Sequence, residues 1–305
     1  MPRRRVPTVR ERVEPTLRGL APTTEQLYRH PLELLASRWG DTPLDLLSYD
    51  DLVEYRQWAM TTAVRRRTSV NGASAGEHAV SAVRRMFDIA IKNGLITRNT
   101  AKELEKPPRQ ESKRRPIDEL HVEEMYQVVT DDETGILRFY QETGCRREGL
   151  LNMTPQKVKR ATQVVILDEK GSKIREQPIS SMMLDWLLSD NCILYTWTRR
   201  KNDGLFNRIK RDLDWANELG VSAHWLRHTT LSKVERVTKS MGLTAAFAGH
   251  KLSGIGATAT YAGRYNLKDV CWAFTVTFGL PHPLVPDGFV PIGIDWSEPG
   301  QYGGR

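Results

Sequence analysis

The sequence predicts a two-domain chain in which an all-helical N-terminal domain precedes a mainly helical, mixed α/β domain with a small β-sheet. Three observations carry that expectation. Apolar residues recur at helical spacing through the first third of the chain. The stretch KPPRQESKRRP at 106–116 combines prolines with a charge run and has no apolar periodicity, as an extended interdomain linker would. Beyond it, a β-branched run with a glycine turn interrupts an otherwise helical pattern. With 305 residues each domain is large enough to bury its own core.

In the first domain a helix is expected after Pro22-Thr23-Thr24, carrying Leu27, Leu34 and Leu35, with Pro31 a challenge to its continuity. A second runs from about Tyr49 to Val64, with Ser48 and Asp51 at its start and Leu52, Tyr55 and Ala59 on one face; it leads into Arg65, Arg66 and Arg67. A third has Ser74 and Glu77 as a capping box, Val80, Val83, Phe87 and Ala90 on its apolar face, and Asn93-Gly94 as its stop. Arg84, Arg85 and Lys92 occupy much of the remainder. In the second domain, TQVVIL, a DEKGS turn and KIREQPI make residues 162–179 a β-hairpin. Helices follow over 204–219, with Leu205, Ile209 and Leu213 in register, and over 224–237. The expected organisation is a basic extension (1–20), the helical domain (21–106), the linker (107–116), the second domain (117–278) and a Pro- and Gly-rich tail (279–305) that forms no domain.

The formal net charge is +8, which favours an acidic partner such as nucleic acid over a small neutral substrate. Residues 1–115 hold 22 Lys and Arg against 14 Asp and Glu, whereas the rest hold 23 of each. All of the excess is N-terminal, as a face that tracks phosphates would be. The three cysteines, Cys145, Cys192 and Cys271, are widely spaced with no C-x-x-C pair, so neither a disulfide framework nor a zinc ribbon is indicated. No apolar core follows the basic N-terminus, and no uncharged stretch approaches membrane-spanning length. The expected location is the cytoplasm.

Four segments of the second domain gather Arg, Lys, His and Tyr: TGCRREGL, EKGSKIREQPI, HWLRHTT and AGHKLSGIGATATY. Phosphodiester transfer without a metal needs fixed cations on the non-bridging oxygens, and the planar fork of arginine suits Arg146 and Arg227 to that task. A phenol such as Tyr261 can store the bond energy in a covalent intermediate once its proton is accepted. A lysine at a hairpin tip, Lys170, can reach across a substrate to protonate a leaving oxygen. His224 and His228 are four apart, but Arg227 beside them repels a cation and no H-E-x-x-H is formed.

In that order these segments resemble the catalytic boxes of the tyrosine recombinase (phage integrase) family. The N-terminal helices with GLITRNTAKELEKPPR resemble its SAM-like core-binding domain, and the likeness covers about residues 20–275. The resemblance implies that Arg146 and Arg227 bind the scissile phosphate, His224 helps remove the tyrosine proton, His250 hydrogen-bonds the phosphate, Lys170 protonates the leaving group and Tyr261 is the nucleophile. It implies a 3′-phosphotyrosine intermediate, strand exchange through a Holliday junction and a homotetramer on two double-stranded DNA core sites, with accessory factors and without metal or cofactor. Arg65, Arg66, Arg67, Arg84, Arg85, Lys92, Lys113, Arg114 and Arg115 are the DNA-binding candidates. With about 20 residues before the first helix, a simple Xer-like integrase without an arm-binding domain is expected. The segment NLKDVCWAFTVTF is a docking helix for a neighbour or packs in cis.

Three departures from the family pattern stand out. The acid usual three positions after the first arginine is replaced by Gly149, with Glu148 one place early. Lys170 lacks a preceding glycine. The gap from His250 to Tyr261 is longer than usual, which leaves Tyr265 as an alternative nucleophile. A non-catalytic DNA-binding protein and a type IB topoisomerase-like or resolvase-like enzyme are the competing readings.

Overall fold

The computed structural model describes residues 5–63, 71–108, 114–169, 173–250 and 265–294, and the chain divides into two compact units, Met1–Ser112 and Lys113–Arg305. The first unit is all helical: α1 (Val9–Leu17), α2 (Pro22–Trp39), α3 (Tyr49–Thr62) and α4 (Ala73–Lys92). Capping boxes start α1 (Thr8 with Glu11) and α3 (Ser48 with Asp51), each satisfying backbone N–H groups that the first turn leaves unpaired. The face of α4 that carries Val80, Val83, Phe87 and Ala90 is buried against the other three helices.

Three sequence expectations for this unit change. The 1–20 segment is not a loose extension, because Val9, Val13 and Leu17 sit in the core. Pro31 lies inside α2 without ending it: the ring is buried, and its carbonyl accepts a 2.8 Å bond from the hydroxyl of buried Tyr55. Helix α4 has Gly72, in the left-handed conformation, as its N-cap, so Ser74 and Glu77 fall inside the helix and not at the capping positions.

The second unit holds α5 (Glu119–Gln127), α6 (Asp131–Thr143), α7 (Arg147–Leu151), β1 (Val158–Lys159), β2 (Val164–Glu169), β3 (Lys173–Pro178), α8 (Ser181–Leu188), α9 (Arg199–Asp212), α10 (Asp214–Leu219), α11 (Ala223–Thr238), α12 (Met241–Phe247) and α13 (Leu267–Phe278). The strands form an antiparallel sheet in the order β1-β2-β3, with Leu167 opposite Arg175 and Glu169 opposite Lys173. The expected 204–219 helix is broken at Leu213, whose backbone is extended. Tertiary contacts override the continuous pattern there: Trp215 donates its indole N–H to Glu124 at 2.6 Å and stacks on His121, which tie α10 to α5.

A second apolar cluster joins Val234 of α11, Leu243 and Phe247 of α12 and Val270, Trp272 and Phe274 of α13, so α13 packs in cis. The segment beyond it is not a loose tail up to residue 294. Leu280, Val285, Phe289, Val290 and Ile294 lie against this cluster, and buried His282 bonds through Nε2 to the carbonyl of Gln163 at 3.1 Å. All three cysteines are buried, reduced thiols. No helix among the described residues is long and apolar enough to cross a membrane.

Candidate active site

The sheet face that starts apolar ends charged. Along β2, Val165 and Leu167 are buried in the core, and Glu169, next on that face, is buried as well. Across the ladder the same face of β3 carries Gln177 and Arg175. The apolar residue of β3 points outward instead, with Ile174 at 70% exposure. This reverses the usual pattern of a half-buried strand and places a carboxylate and a guanidinium where a core would otherwise continue.

Arg146 precedes α7 as its N-cap residue, with an extended backbone. Its backbone N–H donates to Glu169 Oε1 at 2.6 Å and its Nη1 donates to Glu169 Oε2 at 2.6 Å. Arg227 lies in the first turn of α11 and is 2% exposed. It donates from Nη1 to the carbonyl of Gly144 and from Nη2 to that of Ala248, the latter at 2.7 Å. Arg175 donates from Nη1 to the Phe247 carbonyl at 2.5 Å and from Nη2 to the Thr143 carbonyl at 3.1 Å. Both Arg175 and Arg227 also reach Glu169 Oε1, at 3.6 and 3.7 Å. One buried carboxylate is thus shared by three guanidiniums.

His250 closes the cluster. Helix α12 ends at Ala248 and Gly249, with Gly249 at φ +65, and a Cβ there would meet Arg175 Cδ at 2.5 Å. A residue other than glycine would be both strained and crowded at this turn. The turn sets His250 Nε2 3.1 Å from Arg146 Nη2 and 3.2 Å from Arg227 Nη2. Guanidiniums only donate, so Nε2 is the acceptor and the ring proton sits on Nδ1. His224, exposed, is three residues before Arg227 on α11, on the same side of the helix.

The titration behaviour follows from this crowding. Burial works against the Glu169 carboxylate, but Arg175, the Arg146 N–H, Arg227 and Arg146 outweigh it and hold its pKa below the ordinary value. Burial, then Arg175 and Arg146, lowers Arg227 to about 10, with Glu169 opposing. Burial, then Arg114, Arg227, Arg146 and His228, lowers His224, which favours a neutral imidazole able to accept a proton. Burial raises the Cys145 thiol to about 12, so beside Arg146 it is no nucleophile.

The structure therefore gathers Arg146, Arg227 and His250, with His224 on the same helix as Arg227. Lys170 lies outside the described residues, between Glu169 and Lys173, and Tyr261 lies outside them between His250 and Tyr265. Tyr265 is described, and its hydroxyl is 3.4 Å from Ser240 Oγ at the start of α12. Ser240 and His250 flank opposite ends of α12. Sequence reasoning missed Glu169 and Arg175. Their signal was the polar Arg175 and Gln177 at alternate positions of a strand expected to bury its apolar residues.

Among the DNA-binding candidates, Arg65, Arg66, Arg67 and Lys113 lie outside the described residues. The guanidiniums of Arg84 and Arg85 are engaged within the first unit. Arg84 donates to the carbonyls of Ala101 and Leu104 at 3.1 and 2.7 Å, and Arg85 to those of Thr16 and Arg18 at 2.9 and 3.2 Å. Lys92, Arg114 and Arg115 are exposed.

No family model matches the chain. Over 273 residues it is 21% identical to the tyrosine recombinase XerC of Vibrio vulnificus, covering 83% of this chain and 85% of that protein. The Tn1549 transposon integrase in complex with circular intermediate DNA has a TM-score of 0.63 at 16% identity, covering 88% of this chain and 98% of that one. A lambda integrase tetramer bound to a Holliday junction has a TM-score of 0.60 at 15% identity, covering 82% and 80%.

Proposed function

We propose that this chain, a member of the tyrosine recombinase family, cuts and rejoins double-stranded DNA at specific sites through a 3′-phosphotyrosine bond and a Holliday junction. The observation that carries the reading is the convergence of the Arg146 and Arg227 guanidiniums on one His250 nitrogen, at 3.1 and 3.2 Å. Arg146, Arg175 and Arg227 against Glu169 leave two positive charges in excess at this point; burial first, and then repulsion from Arg175 and Arg146, lower the pKa of Arg227. A phosphate would relieve it, its non-bridging oxygens taking the donors that His250 Nε2 now accepts.

In the step proposed, the Tyr261 oxygen attacks the phosphorus as the bond from phosphorus to the 5′-oxygen breaks. The phenol proton passes to neutral His224 and the 5′-oxygen takes a proton from Lys170. Arg146, Arg227 and His250 hold the phosphate, and the cations come from side chains, without a metal or cofactor. Rejoining is the same step reversed by a 5′-hydroxyl. The helical domain of the first unit, read from the sequence as 21–106 and here extended to include α1, is assigned the grip on the core site, with the linker at 107–116, the catalytic domain at 117–278 and the assembly a homotetramer on two DNA sites in the cytoplasm, with accessory factors as partners. The exposed cations Lys92, Arg114 and Arg115, with Arg65, Arg66, Arg67 and Lys113, are proposed as phosphate contacts.

The test is a nicked suicide duplex. The chain should form a protein–DNA adduct that survives denaturation, and Tyr261→Phe should abolish it while leaving DNA binding intact. An adduct retained by Tyr261→Phe and lost in Tyr265→Phe would overturn the nucleophile; no adduct with any duplex retained by the protein would overturn the activity.

A further inference from the structure

We infer that Glu169 is the positioning residue of this site, supplying from β2 the carboxylate that sets Arg146 and Arg227 around the phosphate, in a volume that Gly149 leaves open. The inference rests on the recombinase reading above. It joins two departures from the family pattern, the glycine at 149 and the non-glycine residue before Lys170, into one exchange.

The geometry is specific. Glu169 accepts from the backbone and the side chain of Arg146 at once, each at 2.6 Å, so it fixes both where α7 starts and where its arginine points. Its Oε1 is also 3.7 Å from Arg227 Nη1. The residue three positions after Arg146 on α7 projects to the same side of the helix. A Cβ at Gly149 would stand 3.1 Å from Glu169 Cγ and 3.3 Å from Oε1. Positions 149 and 169 therefore contend for one volume, and the chain fills it from the strand. The carboxylate is 2% exposed, so it acts on the arginines and does not face DNA. Three charge-assisted contacts on one buried acid give it more hold on the guanidiniums than a surface carboxylate has.

The experiment compares four full-length chains on the nicked suicide duplex: the parent, Glu169→Gln, Glu169→Ala, and Glu169→Ala combined with Gly149→Glu. Single-turnover adduct formation, DNA affinity by gel shift and thermal melting are read for each. Glu169→Gln and Glu169→Ala should slow adduct formation on the order of 10- to 100-fold, the worth of one charge-assisted contact, with affinity within about threefold. The double substitution should recover most of the lost rate, which a merely structural role for Glu169 would not predict. The inference is overturned if either folded single variant cleaves like the parent, or if the double variant is unfolded or cleaves no faster than Glu169→Ala. Should the single variants fail to fold, an active double variant supports the inference and an inactive one overturns it. A parent that forms no adduct refutes instead the activity on which the inference rests.

Discussion

Replacing Arg227 by lysine keeps a formal charge and nearly the same length, yet the structure predicts a large loss. The guanidinium bridges the carbonyls of Gly144 and Ala248 and meets His250, all while 2% exposed. An ammonium has one nitrogen and reaches one of those carbonyls, so the other is left buried without its charged donor. Losing one such bond costs about 2 kcal/mol, and for a unit of this size that lowers the melting temperature by roughly 4–8 °C. The charge is at risk as well. The burial, with Arg175 and Arg146 nearby, that lowers the pKa of Arg227 would press a lysine there downward from its ordinary value as well. A lysine, which loses its proton more readily than an arginine, would then give up charge as pH rises. Adduct formation should fall about 100-fold or more for the lost phosphate donor, and the deficit relative to the parent should widen as pH rises from 7 to 9. Calorimetry and single-turnover cleavage across that range read both effects. An unchanged melting temperature, or a deficit independent of pH, would refute the account of the pocket as a bridged, crowded cation site.

Gly249→Ala places a side chain at φ +65 and 2.5 Å from Arg175 Cδ; it should cost about 1–2 kcal/mol from the backbone alone and slow cleavage through His250, which a pre-steady-state assay would detect. Arg85→Ala should lower the melting temperature, because it removes the donors to Thr16 and Arg18, but leave the salt dependence of DNA binding unchanged, whereas Lys92→Ala should reduce the logarithmic salt slope by about one. His282 is held below its ordinary 6.5 by burial, against the opposing Gln163 carbonyl. The unfolded chain therefore binds the proton first: stability is complete above pH 6.5 and is lost as pH falls through the lower folded value. Hydrogen exchange over 280–294 at pH 7 and pH 5 should report that loosening, and His282→Gln should remove the difference.

Much of this is legible in the sequence. Ser48 and Asp51 announced α3, the apolar stripe of α4 fell on its buried face, and the alternation either side of DEKGS gave the hairpin, because each is a local pattern with a local cause. The positions of Arg146, Arg227 and His250 were read from motif order. What the sequence withheld depended on distant partners. That Pro31 lies inside α2 with its carbonyl bonded to Tyr55, 24 residues away, is a contact that no local pattern announces. That Arg84 and Arg85 bond carbonyls of segments that fold back on α4 is likewise a contact that no local pattern announces. The role of Glu169 could be seen only when Gly149 stood beside it in space. The packing of 280–294 was masked by its prolines and glycines, which suggest a tail until Phe289 and Val290 are seen on the α13 cluster.

The buried thiols have a practical corollary for observing strand exchange. Burial lifts Cys145 and Cys271 to about 12 and raises Cys192 as well, so at neutral pH the folded chain offers almost no thiolate to a maleimide. A single cysteine introduced at an exposed site such as Asp190 would take a fluorophore alone, with the native three left in place. Energy transfer between such a dye and labelled DNA could then follow assembly and release in one molecule at a time, on a protein whose core had not been altered to make the measurement.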